Sequence, residues 1–231
     1  MRLHRFYTGP DLRLEHYIEL VDRRLLEQWN KVLRFRTGQE VLLFDGVAHE
    51  RLYVLNELSK TVAKLELITD FERKLPGRNV YLFWSLLKND KNDWVLQKAT
   101  ELGVSHFIPL LAERSEKTGF NHERADKIVM EAAEQCGRSD LPLVRQPVLL
   151  QTALQEYGAK IPLFVCEQHD LTKASKQPNY KEVGVLIGPE GGWSDKEKQL
   201  FQTQEVGRLP LGDFTLRAET ACVVASAKLL Q

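Results

Sequence analysis

The last fifty residues constrain the fold of this chain more than any other stretch, because they carry the same unit twice. Val183-Gly184-Val185-Leu186-Ile187 is an apolar run long enough for a buried strand and too short for a typical helix. It breaks at Gly188-Pro189-Glu190-Gly191-Gly192, and Ser194 followed by Glu197 forms a capping-box pattern that starts a helix at about Asp195. Val206-Gly207-Arg208-Leu209 reads as a second short strand ending at Pro210. Leu211-Gly212-Asp213-Phe214-Thr215 reads as a second loop, and Arg217-Ala218-Glu219-Thr220 opens a helix that runs to the end. Strand, glycine loop and helix, repeated, place both loops at strand carboxyl ends, where ligands bind in an open parallel sheet.

The first loop matches neither the dinucleotide nor the phosphate-loop pattern, and Glu190 would repel phosphate while suiting a cationic ligand. A tight turn without any ligand remains the plainer alternative, since Gly and Pro are ordinary turn residues.

Together these residues resemble the last two motifs of the SPOUT (alpha/beta-knot) methyltransferases. The resemblance rests on Leu186 to Gly192 with Trp193, Ser194 and Glu197, then on Leu211-Gly212 and on Leu216-Arg217-Ala218-Glu219-Thr220-Ala221. Within that superfamily the chain is most similar to the RsmE family, which methylates N3 of a uridine in 16S ribosomal RNA. The resemblance implies an α/β fold with a parallel sheet ending in a deep trefoil knot, S-adenosylmethionine as cofactor, ribosomal RNA or the small ribosomal subunit as partner, and a homodimer. It implies cofactor contacts from Leu186, Gly188, Pro189, Glu190, Gly191, Leu211, Gly212, Leu216 and Ala221. It also makes Arg217 the catalytic candidate, a guanidinium that would stabilise charge developing on the uracil oxygens. The alternative for Arg217 is a structural tether to Glu190 or Glu219. Two other functions stay open: a SPOUT enzyme acting on a ribose hydroxyl or on transfer RNA, and a knotted RNA-binding or ribosome-assembly protein without activity.

Lys and Arg number 32 and Asp and Glu 32, so net charge advertises no nucleic acid, and RNA affinity must come from a local basic face. Cys136, Cys166 and Cys222 are scattered and sit in apolar contexts, which reads as small core residues rather than as a disulfide or metal framework. No metal is expected. No apolar run reaches membrane-spanning length and the first residues lack a signal core, so the expectation is a soluble, cytoplasmic protein.

Residues 1–72 differ from the rest. Short strand-like runs at 2–7, 40–44, 50–55 and 61–68 surround one helical patch at 22–34, and Asp45-Gly46 is a hairpin signal. A small β-barrel is the expected solution, since it leaves few open edges. The resemblance extends here to a PUA-like RNA-binding barrel, through Val32-Leu33-Arg34, Gly38 to Val41 and Leu43 to Gly46. Arg2, Arg5 and Arg34 belong to a basic cluster that could hold phosphates.

After Pro76-Gly77 the rhythm becomes strand then helix through residue 231, which implies a parallel sheet with covered faces. Strands are expected at 79–85, 104–111 and 161–166. One helix is expected after Asp90, with Trp94, Val95, Ala99 and Leu102 inward and Gly103 at its end. Another is expected at 122–136, with Ala125, Ile128, Val129, Ala132, Ala133 and Cys136 inward. Lys88, Lys91, Arg114, Ser115 and Glu167 follow strand ends; solvation is the better reading for Lys88 and Lys91. The resemblance makes Arg114, Ser115 and Arg138 RNA contacts.

Overall fold

The structure is a computed structural model and describes residues 3–88, 90–116, 119–166 and 180–230. It divides into two units: Met1–Leu75 with Ala133–Leu141, and Pro76–Ala132 with Pro142–Gln231.

The first unit is built on five strands, β1 (His4–Tyr7), β2 (Tyr17–Leu20), β3 (Glu40–Phe44), β4 (Glu50–Leu58) and β5 (Ala63–Asp70), in the order β1-β3-β4-β5-β2. Only β1 and β3 are parallel; the other neighbours are antiparallel. Among the described residues no ladder joins β1 to β2. The β3–β4 hairpin forms where Asp45-Gly46 signals it, with Gly46 at φ +80° and the Asp45 carboxylate accepting from the backbone N–H groups of Val47, Ala48 and His49. β2 is absent from the sequence reading; its register against β5 pairs Ile18 with Leu65 and buries only Ile18 and Leu20.

The helical patch is α1 (Arg23–Glu27), capped by the Asp22 side chain, continuing as a π-helical stretch Gln28–Leu33 that ends at Arg34 in the left-handed region. Trp29, Phe6, Phe35, Val41, Leu43, Tyr53, Leu55 and Leu65 form the core of this unit. Ala133–Leu141 is bonded into it: Glu134 accepts from the Tyr7 N–H at 2.9 Å, Ser139 Oγ accepts from the Lys74 N–H at 2.7 Å, and Ser139 also meets the buried Glu50.

The second unit carries a parallel sheet of β6 (Asn79–Ser85), β7 (His106–Leu111), β8 (Leu143–Val144), β9 (Val148–Leu149), β10 (Leu163–Val165), β11 (Glu182–Ile187) and β12 (Gly207–Arg208). The order is β12-β10-β11-β6-β7-β8, with β9 also on β7. Successive side chains of a strand face opposite ways, so Val80, Leu82 and Trp84 of β6 enter one core while Phe83 enters another. On the first face lie α2 (Lys91–Leu102), α3 (His122–Cys136) and α6 (Ala218–Leu230), through Val95, Ala99, Val129, Cys222, Ala225 and Leu229. On the second lie α4 (Leu150–Tyr157) and α5 (Asp195–Thr203), through Leu150, Ala153, Leu154 and Phe201. The α/β fold with a parallel sheet is thus as expected.

Three local expectations are corrected. α2 buries Asn92, Val95, Leu96, Ala99 and Thr100, while Trp94 and Leu102 are 41% and 39% exposed. The inward stripe is rotated because Asn92 must point in: its amide accepts from Trp84 Nε1 and the Leu87 N–H and donates to the Leu87 carbonyl. The stretch 90–93 reads in sequence as able to cap this helix, and Asp90 does stand at the cap position but makes no capping hydrogen bond with its side chain. Of the three cysteines read as core residues, Cys222 is buried and Cys166 half-buried, but Cys136 is exposed in the last turn of α3.

Candidate active site

Two loops leave the sheet at strand carboxyl ends, one after β11 and one after β12, and line a single cavity of about 910 Å³. Each loop is shaped by its own residues. In the first, the Gly192 N–H donates to the Pro189 carbonyl at 2.8 Å, closing the turn. A Cβ on Gly188 would stand 3.0 Å from the indole of Trp193, so the close passage of chain against ring requires glycine there. Trp193 packs edge-on against Phe201 of α5, ring centroids 5.1 Å apart. The capping box of α5 is complete: the Glu197 N–H donates to Ser194 Oγ at 3.2 Å, and the Glu197 carboxylate accepts from the Ser194 N–H at 2.8 Å. That carboxylate also accepts from the Glu113 N–H at 3.0 Å, fixing the loop after β7 against the start of α5. In the second loop Gly212 sits at φ +128°, and Lys228 of α6 donates to the Pro210 carbonyl at 2.7 Å.

Gly188, Pro189, Glu190, Gly191, Leu211, Gly212, Leu216, Arg217 and Ala221 all line this cavity, as does Arg114, whose Nη1 donates to the Gly191 carbonyl at 3.1 Å. Leu186 does not: its side chain is buried in the core between the sheet and α4–α5, and its carbonyl accepts from the Cys166 N–H at 3.1 Å. Ser115 closes its own turn, accepting from the Ala112 N–H at 3.2 Å.

The remaining proposed contacts belong to the first unit. Arg5 is paired with Glu50 and donates to the Arg138 carbonyl, Arg138 is buried with its guanidinium forked on Asp140 at 2.9 and 2.7 Å, and Arg34 is exposed. Arg2 and Glu167 lie outside the described residues.

The electrostatics turn on Lys91, at the start of α2. Its Nζ stands 3.2 Å from Glu190 and 3.4 Å from Glu219. The hydrogen bond to Glu190, then the one to Glu219, hold the ammonium above its ordinary pKa against partial desolvation. The solvated reading of Lys91 is therefore replaced by a bridge between the first loop and α6. Lys88 is exposed, as the solvated reading has it, and pairs at the surface with Glu116. Arg217 is tethered to neither carboxylate: it is exposed on the cavity wall and forms no side-chain hydrogen bond or ion pair with another described residue. Burial pushes the Cys166 thiol, also on the wall, well above its usual value, so it stays a neutral, unreactive thiol.

Lys91, Trp193, Lys198, Arg208 and Phe214 line the cavity without having been assigned to it from sequence. Trp193 lies inside the first motif and Phe214 in the loop between the two parts of the second, whereas Lys91 becomes visible only once the fold brings α2 beside Glu190.

Residues 73–230 match a family model described as an RNA methyltransferase domain. The ribosomal RNA small subunit methyltransferase E of Aquifex aeolicus is 32% identical over 189 residues, covering 77% of this chain and 81% of the relative. That of Rickettsia conorii is 26% identical over 234 residues, covering 99% and 96%. The crystal structure of a ribosomal RNA small subunit methyltransferase E from Neisseria gonorrhoeae bound to S-adenosyl methionine superposes with a TM-score of 0.88 at 27% identity, covering 98% of this chain and 96% of that one. With the family model matching more than half of its length, the chain belongs to the RNA methyltransferase family, in the group of the ribosomal RNA small subunit methyltransferase E proteins.

Proposed function

We propose that this chain uses S-adenosylmethionine to methylate N3 of a uridine in 16S ribosomal RNA. The observation that carries the reading is the cavity between the two glycine loops, with Arg217 on its wall and no carboxylate among the described residues holding it.

The residues present fit this cofactor. The volume of about 910 Å³ lies within the range of small-molecule sites. Ile187, Leu211, Leu216, Ala218 and Ala221 offer an aliphatic wall for a purine, and Glu190 a carboxylate for a cation. The buried Trp193 Nε1–H, which has no acceptor among the described residues, is a donor on the same wall. When bound, S-adenosylmethionine supplies an electrophilic methyl group on a sulfonium.

The chain's own task is to hold the base and ease loss of its N3 proton. That proton lies between two carbonyls, and its departure spreads negative charge onto both oxygens. Arg217, whose guanidinium has no side-chain partner among the described residues, is suited to stabilise that charge as it develops. Lys91 pairs with Glu190 and Glu219, and neither carboxylate is paired with the Arg217 guanidinium.

The wider reading makes the first unit a PUA-like RNA-binding barrel and the second a SPOUT domain closed by a deep trefoil knot. Supporting the first are the exposed Arg23, Lys31, Arg34 and Arg36, basic side chains that phosphates would complement. Supporting the second is the path of the chain from β11 past β10 to β12 and back to α6, which packs on β11, β6 and α2. A homodimer belongs to the same reading, and the exposed Trp94 and Leu102 of α2 are apolar surface that a partner would cover. Ribosomal RNA as substrate implies the cytoplasm; no helix among the described residues is long and apolar enough to cross a membrane.

The test is calorimetric titration with S-adenosylmethionine, followed by tritiated methyl transfer to small ribosomal subunits lacking the modification. Arg217→Ala is expected to retain cofactor binding and to lose about 10²- to 10³-fold in transfer, the cost of removing one donor to a developing oxyanion. A folded protein that binds no cofactor, with or without RNA, sinks the reading in favour of a non-catalytic RNA-binding protein. Transfer to transfer RNA or to a ribose hydroxyl instead moves the chain to another SPOUT activity.

A further inference from the structure

Phe214 is 85% exposed, more than any other large apolar side chain among the described residues. An isolated exposed apolar residue is ordinary on a protein surface. Phe214, however, lies in the second glycine loop, two residues after Gly212 at φ +128° and three before Arg217, and it lines the same cavity. The loop is not loosely held, since Lys228 pins its start at the Pro210 carbonyl and the Ala221 N–H donates to the Arg217 carbonyl at 2.8 Å where α6 begins. An exposed aromatic ring is thus carried on a loop anchored at both ends.

Trp193 apart, the half-buried and buried apolar side chains of the cavity are aliphatic, among them Ile187, Leu211, Leu216 and Ala218. A purine held there does not need the exposed ring. A base arriving from solution does, because it must leave its own stack and find another π-face before it can present a ring atom to the site. We propose that Phe214 is the stacking platform for the target base, a substrate-positioning residue that holds the uracil ring while Arg217 meets its oxygens. The inference rests on the proposed RNA-base methylation and deepens it by naming what holds the substrate.

The experiment compares Phe214→Ala, Phe214→Leu, Phe214→Tyr and Phe214→Trp with the wild type. Three readouts are taken: S-adenosylmethionine Kd by calorimetry, steady-state transfer to unmodified small subunits, and binding of a fluorescein-labelled, uridine-rich single-stranded RNA. The Ala and Leu variants are expected to lose about ten- to a hundredfold in kcat/KM, the size of one lost base–aromatic stack. Their cofactor Kd is expected to stay within about twofold, and the labelled RNA to bind correspondingly more weakly. Tyr and Trp, which restore a π-face, are expected to recover most of both losses. Leu matching the wild type overturns the proposal, because a merely apolar contact then suffices. Cofactor Kd rising in step with the loss of rate also overturns it, because the ring then belongs to the cofactor. Absence of transfer by the wild type is the failure of the methylation reading, and the RNA-binding comparison of wild type with Phe214→Leu still decides whether the ring stacks on a base.

Discussion

Asp45 shows how one side chain can hold a turn. Burial alone would push its carboxyl up, but the backbone N–H groups of His49, Val47 and Ala48 together outweigh that and hold it below the usual carboxylate range. A folded pKa below the unfolded value of about 3.9 means that the stabilisation is fully present above pH ~4 and is lost as pH falls through the folded value. Asp45→Asn keeps an acceptor oxygen but removes the charge, and is expected to cost about 1–3 kcal/mol at pH 7. In urea unfolding the gap between wild type and variant should shrink as pH drops below about 4; a gap equally large at pH 7 and pH 3 would rule out the ionised carboxylate as its origin. The turn signal Asp45-Gly46 was legible in sequence because the chemistry is local. Lys91 was not, since nothing near it in the chain says that Glu190 and Glu219 will stand within 3.4 Å of its ammonium. The same holds for Arg138, whose burial against Asp140 depends on how Ala133–Leu141 joins the first unit.

Among the elements, β11 is the one whose packing is least forgiving. It lies between β10 and β6, and Gly184 in its middle is paired with Leu163 on one side and Tyr81 on the other. A Cβ at that position would stand 2.5 Å from Leu163 Cδ2 and 2.8 Å from Phe83 Cε2, both buried in the core. Gly184 is therefore there for volume rather than for backbone freedom. Gly184→Ala is expected to destabilise by about 1–3 kcal/mol through overpacking. Combined with Leu163→Ala the cost should fall below the sum of the two single changes, because the new methyl takes part of the vacated space. Strict additivity in a denaturation cycle would show that the two side chains do not compete. β6, β11, α3 and the start of α5 were readable because apolar runs, a closing glycine and a capping box are signals contained in the element itself. β2, β8 and β9, of four, two and two residues, carry no such signal and exist through their ladder partners, and the inward face of α2 was read only in part, right at Val95 and Ala99 but not at Trp94 and Leu102, because Asn92 is an inward polar residue.

At the scale of the whole chain, 32 basic and 32 acidic residues cancel, and this neutrality concealed the charge that matters. The cavity wall carries Lys91, Arg114, Lys198, Arg208 and Arg217 against Glu190, a local excess of basic side chains that appears only when distant segments fold together. All of these residues belong to the second unit, so a ligand bound in the cavity stabilises the unit that carries the parallel sheet directly. A ligand that binds only the folded state at a hundred times its Kd stabilises by about 2.7 kcal/mol. For a unit of this size that corresponds to a midpoint raised by roughly 5–10 °C. Scanning calorimetry with S-adenosylmethionine in that excess should show such a rise, and dialysis should reverse it. Arg217→Ala should keep the rise while losing transfer, because its guanidinium is assigned to the charge that develops on the base and not to holding the cofactor. If Arg217→Ala abolished the thermal shift along with activity, Arg217 would be a cofactor ligand, and the donor to the developing oxyanion would have to be sought among the other cations of the same wall.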